Sequence, residues 1–565
     1  MTQEFEAQIP PFEAFFRDLG TDSEIPDYVQ AKVEYLKMMV VNEDSGLTWW
    51  NWLCAELDRM SQVSQVPPAR KGKNGLREAA RQAASYPDQG LVRTGYEYDT
   101  AQPPQLKNSY LEHRQEPRVD QYSDEYVELV LYAWIYYLEL FNHPERLLHL
   151  FEQSQHPFEV PPRTNFNGIF AEAVSRNRAV TIQDLALVTR GDGAERASRT
   201  DRFKEGPFVN YGKTSVKGWE NKGRLQARSI IVGAANPDVF GSAMSIATLA
   251  QAHSLASLPR DGFFADTRRQ VDLATKVFEW NGMSPVLLGK SAADQGHLIE
   301  MWNHNVVGVL EANPGKAVKR ATALYDAGVR TFRIYSPEPG NGPLKTLRSL
   351  RALEEEKVWE PVELFVGQVI SLKQAKQLEA EGANAIYIGI GGGGRCVTGV
   401  VGNLTIDWPQ LLAEMRGEIH IPIFVEGGAS DAIGVTLVLG ASGIGAAGKL
   451  AGNIENPGGY SVFVDRDDQV FVYYGGEASD RMRAMAGRLS AFGRVEHTEG
   501  ETRRIVIETF PGKLPTMLQA LLNLTQGEIG VSIFQNAHTL AELQRDSSDS
   551  LRVESPNGAG MKNTH

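Results

Sequence analysis

Cysteine is nearly absent from this chain, with two in 565 residues, Cys54 and Cys396. Two thiols so far apart cannot make a disulfide framework, and they read as free thiols of a reducing, cytoplasmic compartment. Positive charge is also short: 57 lysines and arginines face 70 aspartates and glutamates, a formal net charge of -13. That balance argues against a nucleic-acid binder, although a locally positive site can still take an anionic small ligand. No apolar run reaches the ~18 residues that cross a bilayer, and no cationic, hydrophobic and small-residue succession opens the chain, so neither a membrane partner nor secretion is expected. No histidine and cysteine cluster has metal-ligand spacing, so no metal is expected. No GxGxxG of the dinucleotide type opens a strand–helix unit either.

Residues 1–180 read as a mainly helical domain of unassigned role. DYVQAKVEYLKMMVVNEDSGLTWWNWLCAELDRM and DEYVELVLYAWIYYLELF both carry apolar residues at helical spacing. The aromatic stripe Trp49, Trp50 and Trp52 is expected in a core or a subunit contact. From about 181 the texture changes, and short β-branched runs alternate with amphipathic segments. Examples are RSIIVGAA then MSIATLAQAHSLA, TFRIYSP then LKTLRSLRALEEE, and IPIFVEGG then SDAIGVTLVLG. Seven or eight such units over 181–545 predict an α/β fold, a (β/α)8 TIM barrel, with a doubly wound open sheet as the alternative. Residues 546–565 are polar and read as a flexible tail, apart from a short LRV strand.

Four consecutive glycines and an arginine precede Cys396 in YIGIGGGGRCVTGV. Glycine loses the most backbone entropy on folding, so such a run suits either a loose turn or a loop pressed against a ligand. Cys396 is a buried small hydrophobe or a nucleophile. Arg395 beside it favours a thiolate, and Thr398 supplies a hydroxyl for proton relay. Gly427, Gly428 and Gly448 follow two successive strands, where backbone N–H groups can cradle a phosphate, with Lys449 adding charge. Glu426 offers a carboxylate to a sugar diol. In a barrel the strand ends at Gly391, Glu426 and Gly448 open on one face.

These segments resemble the inosine monophosphate dehydrogenase and guanosine monophosphate reductase family. GANAIYIGIGGGGRCVTG is similar to the family's GADAVKVGIGPGSICTTR, which places its nucleophilic cysteine on Cys396 and its threonine on Thr398. IPIFVEGG is similar to VPVIADGG, so Glu426 takes the aspartate that holds the ribose hydroxyls. ASGIGAAGKLAGNIENPG resembles ASAVMLGSLLAGTEEAPG, putting Gly448 on a phosphate-binding glycine. VYYGGEASDRMRAMAG resembles FYGMSSDTAMNKHAG, with Tyr473 or Tyr474 as the aromatic residue near the phosphate. The resemblance covers roughly 181–545 and implies substrate contacts at Gly393, Gly394 and Arg395. It also implies cofactor contacts at Tyr335, Ser336, Gly389 and Gly391, with NADPH or NAD as cofactor and a homotetramer as assembly.

The departures from the family pattern are specific. Tyr335 stands at or beside the aspartate of IDTAHG, Gly394 replaces a serine before the cysteine, and Lys449 replaces the serine after Gly448. Gly399 replaces the arginine of CTTR. The reductase flap glutamate aligns with Ala491, which leaves Glu496 or Glu499 to take its role. The short segment 470–500 resembles the reductase flap. The expectation is therefore a purine-nucleotide oxidoreductase in the reductive direction. Two alternatives stand beside it: a barrel enzyme using the same cysteine on another phosphorylated compound, and a non-catalytic nucleotide-binding regulatory or assembly protein.

Overall fold

The computed structural model describes residues 118–119, 134–175, 180–189, 208–210, 226–336, 340–389, 407–453, 455–456, 462–464, 470–476, 479, 502–506 and 516–553. Eight strands form one all-parallel sheet: β1 (Ile231–Gly233), β2 (Ala256–Leu258), β3 (Val306–Glu311), β4 (Thr331–Tyr335), β5 (Glu363–Gly367), β6 (Ala385–Ile388), β7 (Ile423–Val425) and β8 (Gly443–Ala446). From β2 to β8 each strand pairs with the next in sequence, and β8 returns to β1. The circle closes between β1 and β2, where the Gly233 N–H donates to Leu255 O at 2.8 Å. This is the (β/α)8 barrel that the alternating runs predict, and the open sheet is set aside.

The strands are short apolar runs buried on both faces, as a parallel sheet covered by helices requires. The intervening helices are α1 (Ala243–Gln251), α2 (Thr267–Gly282), α3 (Ala292–His304), α4 (Pro314–Asp326), α5 (Gly342–Glu355), α6 (Leu372–Ala380), α7 (Trp408–Met415) and α8 (Ile433–Leu439). Their starts carry the expected chemistry. Asn313 caps α4 ahead of Pro314, Ser371 caps α6, and Asp407 caps α7 ahead of Pro409. Helices α9 (Met517–Phe534) and α10 (Leu540–Asp546) follow the barrel, and the LRV run Leu551–Val553 pairs antiparallel with Leu185–Leu187.

Upstream of the barrel, residues 134–141 are helical within the DEYVELVLYAWIYYLELF segment, followed by the helix Pro144–Gln155. This part shares the barrel's core. Trp134 stacks edge-on against Trp280 and donates its indole N–H to Thr248 at 3.2 Å. Asn142 donates to Gln251 O and accepts from the ring of buried His253 at 3.0 Å. Among the described residues no helix is long and apolar enough to cross a membrane, and no group of three or more metal-ligating side chains gathers. The tryptophan stripe and residues 1–117 lie outside the described residues.

Candidate functional site

Glu426 is the first residue past β7, Gly389 the first past β6, and Gly448 follows β8 by one residue. All three stand at the C-terminal mouth of the barrel. Gly389 has φ +116, and a β-carbon there would meet Glu426 O at 1.8 Å. Only glycine allows that approach. The Glu426 N–H donates to Ile388 O at 3.0 Å, so the chain that goes on to carry Cys396 leaves the barrel directly against Glu426.

The Glu426 side chain lies across Gly445, where a β-carbon would meet its Cγ at 2.4 Å. Its carboxylate receives a two-pronged grip from Arg333 of β4, Nη1 to Oε1 at 2.6 Å and Nη2 to Oε2 at 2.5 Å. The amide of Gln368, just past β5, donates a third bond to Oε2 at 3.1 Å. Arg333 is 1% exposed, while Glu426 is 13% exposed and reaches the opening. Burial would lower the Arg333 pKa, but the Glu426 carboxylate outweighs it and holds the guanidinium above its ordinary value. The guanidinium lies over the Tyr387 ring at 3.8 Å, and burial pushes the Tyr387 hydroxyl above its ordinary value.

Gly427 and Gly428 both have positive φ, +82 and +85, and lead into the short turn Ala429–Asp431. Gly448 opens a second such turn, Gly448–Leu450. The described residues supply no acceptor for the backbone N–H groups of Gly427, Gly428 and Gly448, which leaves these donors available to an anion. Lys449 beside them is paired with Asp431 at 2.8 Å, both side chains about half exposed. A pair that open to water holds weakly and can be exchanged for a ligand.

Tyr335 ends β4, half-buried, with the guanidiniums of Arg260 and Arg333 at 5.2 and 5.1 Å from its ring. Ser336 next to it is tied to β5, donating its N–H to Gly367 O and accepting from the Gln368 N–H. The Tyr335 ring beside Arg260 offers an aromatic face on which a flat cofactor could stack, while Arg333 is already committed to Glu426.

A second sheet brings the strand β10 (Val470–Gly475) between β9 (Val462–Val464) and β11 (Thr502–Val506), with Arg118–Val119 outside β9. Two residues past β1 anchor β10. Asp238 accepts from the Gly475 N–H at 2.7 Å, and Asn236 donates to Gly475 O at 2.9 Å. Buried Tyr474 is thereby held near the mouth, its hydroxyl 3.5 Å from the Asn236 amide. The Tyr473 side chain, Gly391, Gly393, Gly394, Arg395, Cys396, Thr398, Glu496 and Glu499 lie outside the described residues. Arg333 and Gln368 are the site residues that sequence reasoning missed. The available signals are a charged residue at an inward position of TFRIYSP and a polar residue directly after the ELFVG strand.

The model of the IMP dehydrogenase / GMP reductase domain matches residues 221–561. Among curated proteins, the inosine-5'-monophosphate dehydrogenase of Cryptosporidium parvum is 32% identical over 169 residues, 29% of this chain and 40% of that protein. Its counterpart in Helicobacter pylori is 28% identical over 257 residues, 44% of this chain and 50% of that protein. That of Aquifex aeolicus is 28% identical over 270 residues, 46% of this chain and 51% of that protein. The chain thus spans about half the length, or less, of these relatives.

Proposed function

The chain belongs to the IMP dehydrogenase / GMP reductase family, and from that premise we propose that it is a purine-nucleotide oxidoreductase working through a covalent adduct on Cys396. The observation that carries this reading is the mouth itself. A carboxylate at Glu426 and open backbone donors at Gly427, Gly428 and Gly448 stand against the exit of the loop that carries the cysteine. In this arrangement the glycine turns and Lys449 hold the 5'-phosphate, Glu426 receives the ribose, and Tyr474 borders the phosphate.

The base is then presented to the Cys396 loop. The thiolate bonds to an electrophilic purine carbon, Arg395 favours the thiolate, and in the reductive direction the exocyclic amine leaves as ammonia. Thr398 carries the proton that departure needs, helped by Glu496 or Glu499 when the flap covers the loop. Tyr335, Ser336, Gly389 and Gly391 border the cofactor, which when bound supplies the hydride that returns the carbon from sulfur. A homotetramer is the assembly proposed, and sedimentation is its check.

The test is incubation of the full chain with GMP and NADPH, following NADPH oxidation, with intact-mass measurement of a Cys396 adduct. Turnover that disappears in Cys396→Ser while GMP binding persists supports the reading. Full turnover in that variant removes the cysteine mechanism. GMP binding with no turnover in the parent moves the reading to a nucleotide sensor.

A further inference from the structure

A second ion pair stands at the mouth, and it spans two turns. Asp431 ends the turn Ala429–Asp431 after β7, and Lys449 stands in the turn Gly448–Leu450 after β8. β7 and β8 are paired neighbours, so the two turns lie side by side. Lys449 Nζ meets Asp431 Oδ1 at 2.8 Å, and both side chains are about half exposed. The Asp431 N–H donates to Gly428 O at 3.0 Å, which ties this acidic residue to the glycine turn itself. The N–H groups of Gly427, Gly428 and Gly448 have no acceptor among the described residues. A carboxylate is the wrong sign for such a neighbourhood, since it repels the anion that open donors attract.

We propose that Asp431 is an affinity-setting residue, an internal counter-ion that holds Lys449 in the absence of ligand and gives it up to the ligand's phosphate. The exchange follows from charge. Asp431 brings one negative charge to Lys449, whereas a phosphate monoester brings about 1.5 to 2, with three acceptor oxygens for the glycine donors. Neither member is trapped, because an ion pair this open to water holds weakly. Once released, the half-exposed carboxylate is hydrated where it stands and needs no new partner. What the exchange loses is one ion pair, and it leaves a like charge near the phosphate. Asp431 therefore lowers the affinity of the site for a phosphate. It also lowers the sensitivity of binding to salt, because one ion pair is broken for each one made. This inference rests on the anion-site part of the nucleotide reading and adds how tightly that site is set.

The experiment is calorimetric titration of the full chain and of Asp431→Asn with GMP and with guanosine, at about 50 mM and about 500 mM NaCl. At the lower salt Asp431→Asn is expected to bind GMP about threefold to tenfold more tightly than the parent, with guanosine unchanged. At the higher salt the two proteins should agree within about twofold. In a Lys449→Gln background the gain from Asp431→Asn should shrink to about twofold or less, because there is no lysine to release. Removing a merely structural contact does not tighten a ligand, so the sign of the change separates the two roles. GMP affinity unchanged or lowered in Asp431→Asn overturns the proposal, as does a gain undiminished by salt or by loss of Lys449. If GMP binds neither protein the nucleotide reading falls, and titration with inorganic phosphate, followed by phosphorus NMR, decides this inference alone. Tighter phosphate binding in Asp431→Asn then upholds it, and no difference overturns it.

Discussion

The barrel holds two arginine–glutamate pairs, one near each end, and their surroundings differ. Near the N-terminal end, Arg228 and Glu363 are both 0% exposed, joined at 2.6 and 3.2 Å. Every polar side-chain atom of that pair has at least one partner: Arg228 also donates to Asn305 and His304 O, and Thr331 donates to Glu363. Near the C-terminal mouth, Glu426 is partly open, while the Arg333 Nε, the Gln368 carbonyl and the Tyr387 hydroxyl are buried with no partner among the described residues. The same pair of side chains is closed into a lock at one end and left incomplete at the other. Buried polar atoms are ordinarily satisfied, and these three stand unpartnered around the partly open Glu426. Barrels of this kind keep stability at one face and chemistry at the other.

Breaking the closed pair gives the largest expected effect. Glu363→Gln leaves Arg228 charged and buried, and a loss of about 3–5 kcal/mol in denaturant unfolding is expected. Replacing both partners by apolar residues of similar volume should cost far less. A loss under about 1 kcal/mol for Glu363→Gln would show that the lower pair is not a lock.

pH separates the two ends in opposite senses. His253, just before β2 at the lower end, is brought down to about 3 by burial, with Arg146 adding to the effect. Its folded pKa lies below its unfolded value, so it adds stability above about pH 6.5 that is lost as the pH falls toward 3. His253→Asn should flatten that acid limb, and an unchanged limb would assign it elsewhere. Glu455 lies past β8 at the upper end, buried, with both oxygens accepting from the Met517 N–H at the start of α9. Burial raises its pKa to about 8. Its folded pKa exceeds the unfolded one, so the stability it adds is full below the ordinary carboxylate range and is lost as the pH rises to about 8, on the order of 5 kcal/mol. Glu455→Gln should remove that alkaline slope. A slope that survives would place the titrating group outside α9's start.

A smaller effect is expected at Gly445, under the Glu426 side chain. Gly445→Ala would displace a carboxylate that three hydrogen bonds hold, and about 1–2 kcal/mol of stability with a several-fold loss in GMP affinity should follow. An affinity equal to the parent's would mean that Glu426's position does not matter to the ligand.

The ends of the barrel were not equally legible in the sequence. Glycines and a carboxylate directly after apolar strands mark Glu426, Gly427, Gly428 and Gly448, because strand ends and turns are local features. The period of strand and helix likewise announces the barrel. Arg333 left only a faint trace, since its partner is 93 residues away and its meaning depends on which strands become neighbours across the interior. The same holds for His253, a lone histidine whose role rests on Asn142, 111 residues upstream. Pairing at that range is set by topology, not by local pattern.

The contrast between a closed lock and an incomplete site is tested most directly by titrating GMP into the parent and into Glu426→Gln by calorimetry, with a thermal melt of each. The expected result is a melt lowered by the loss of Arg333's partner but still cooperative, and, below that melt, a GMP affinity lowered at least about tenfold, with guanine base affected little. GMP bound equally well by both proteins would contradict the assignment of the open pair as the ligand site.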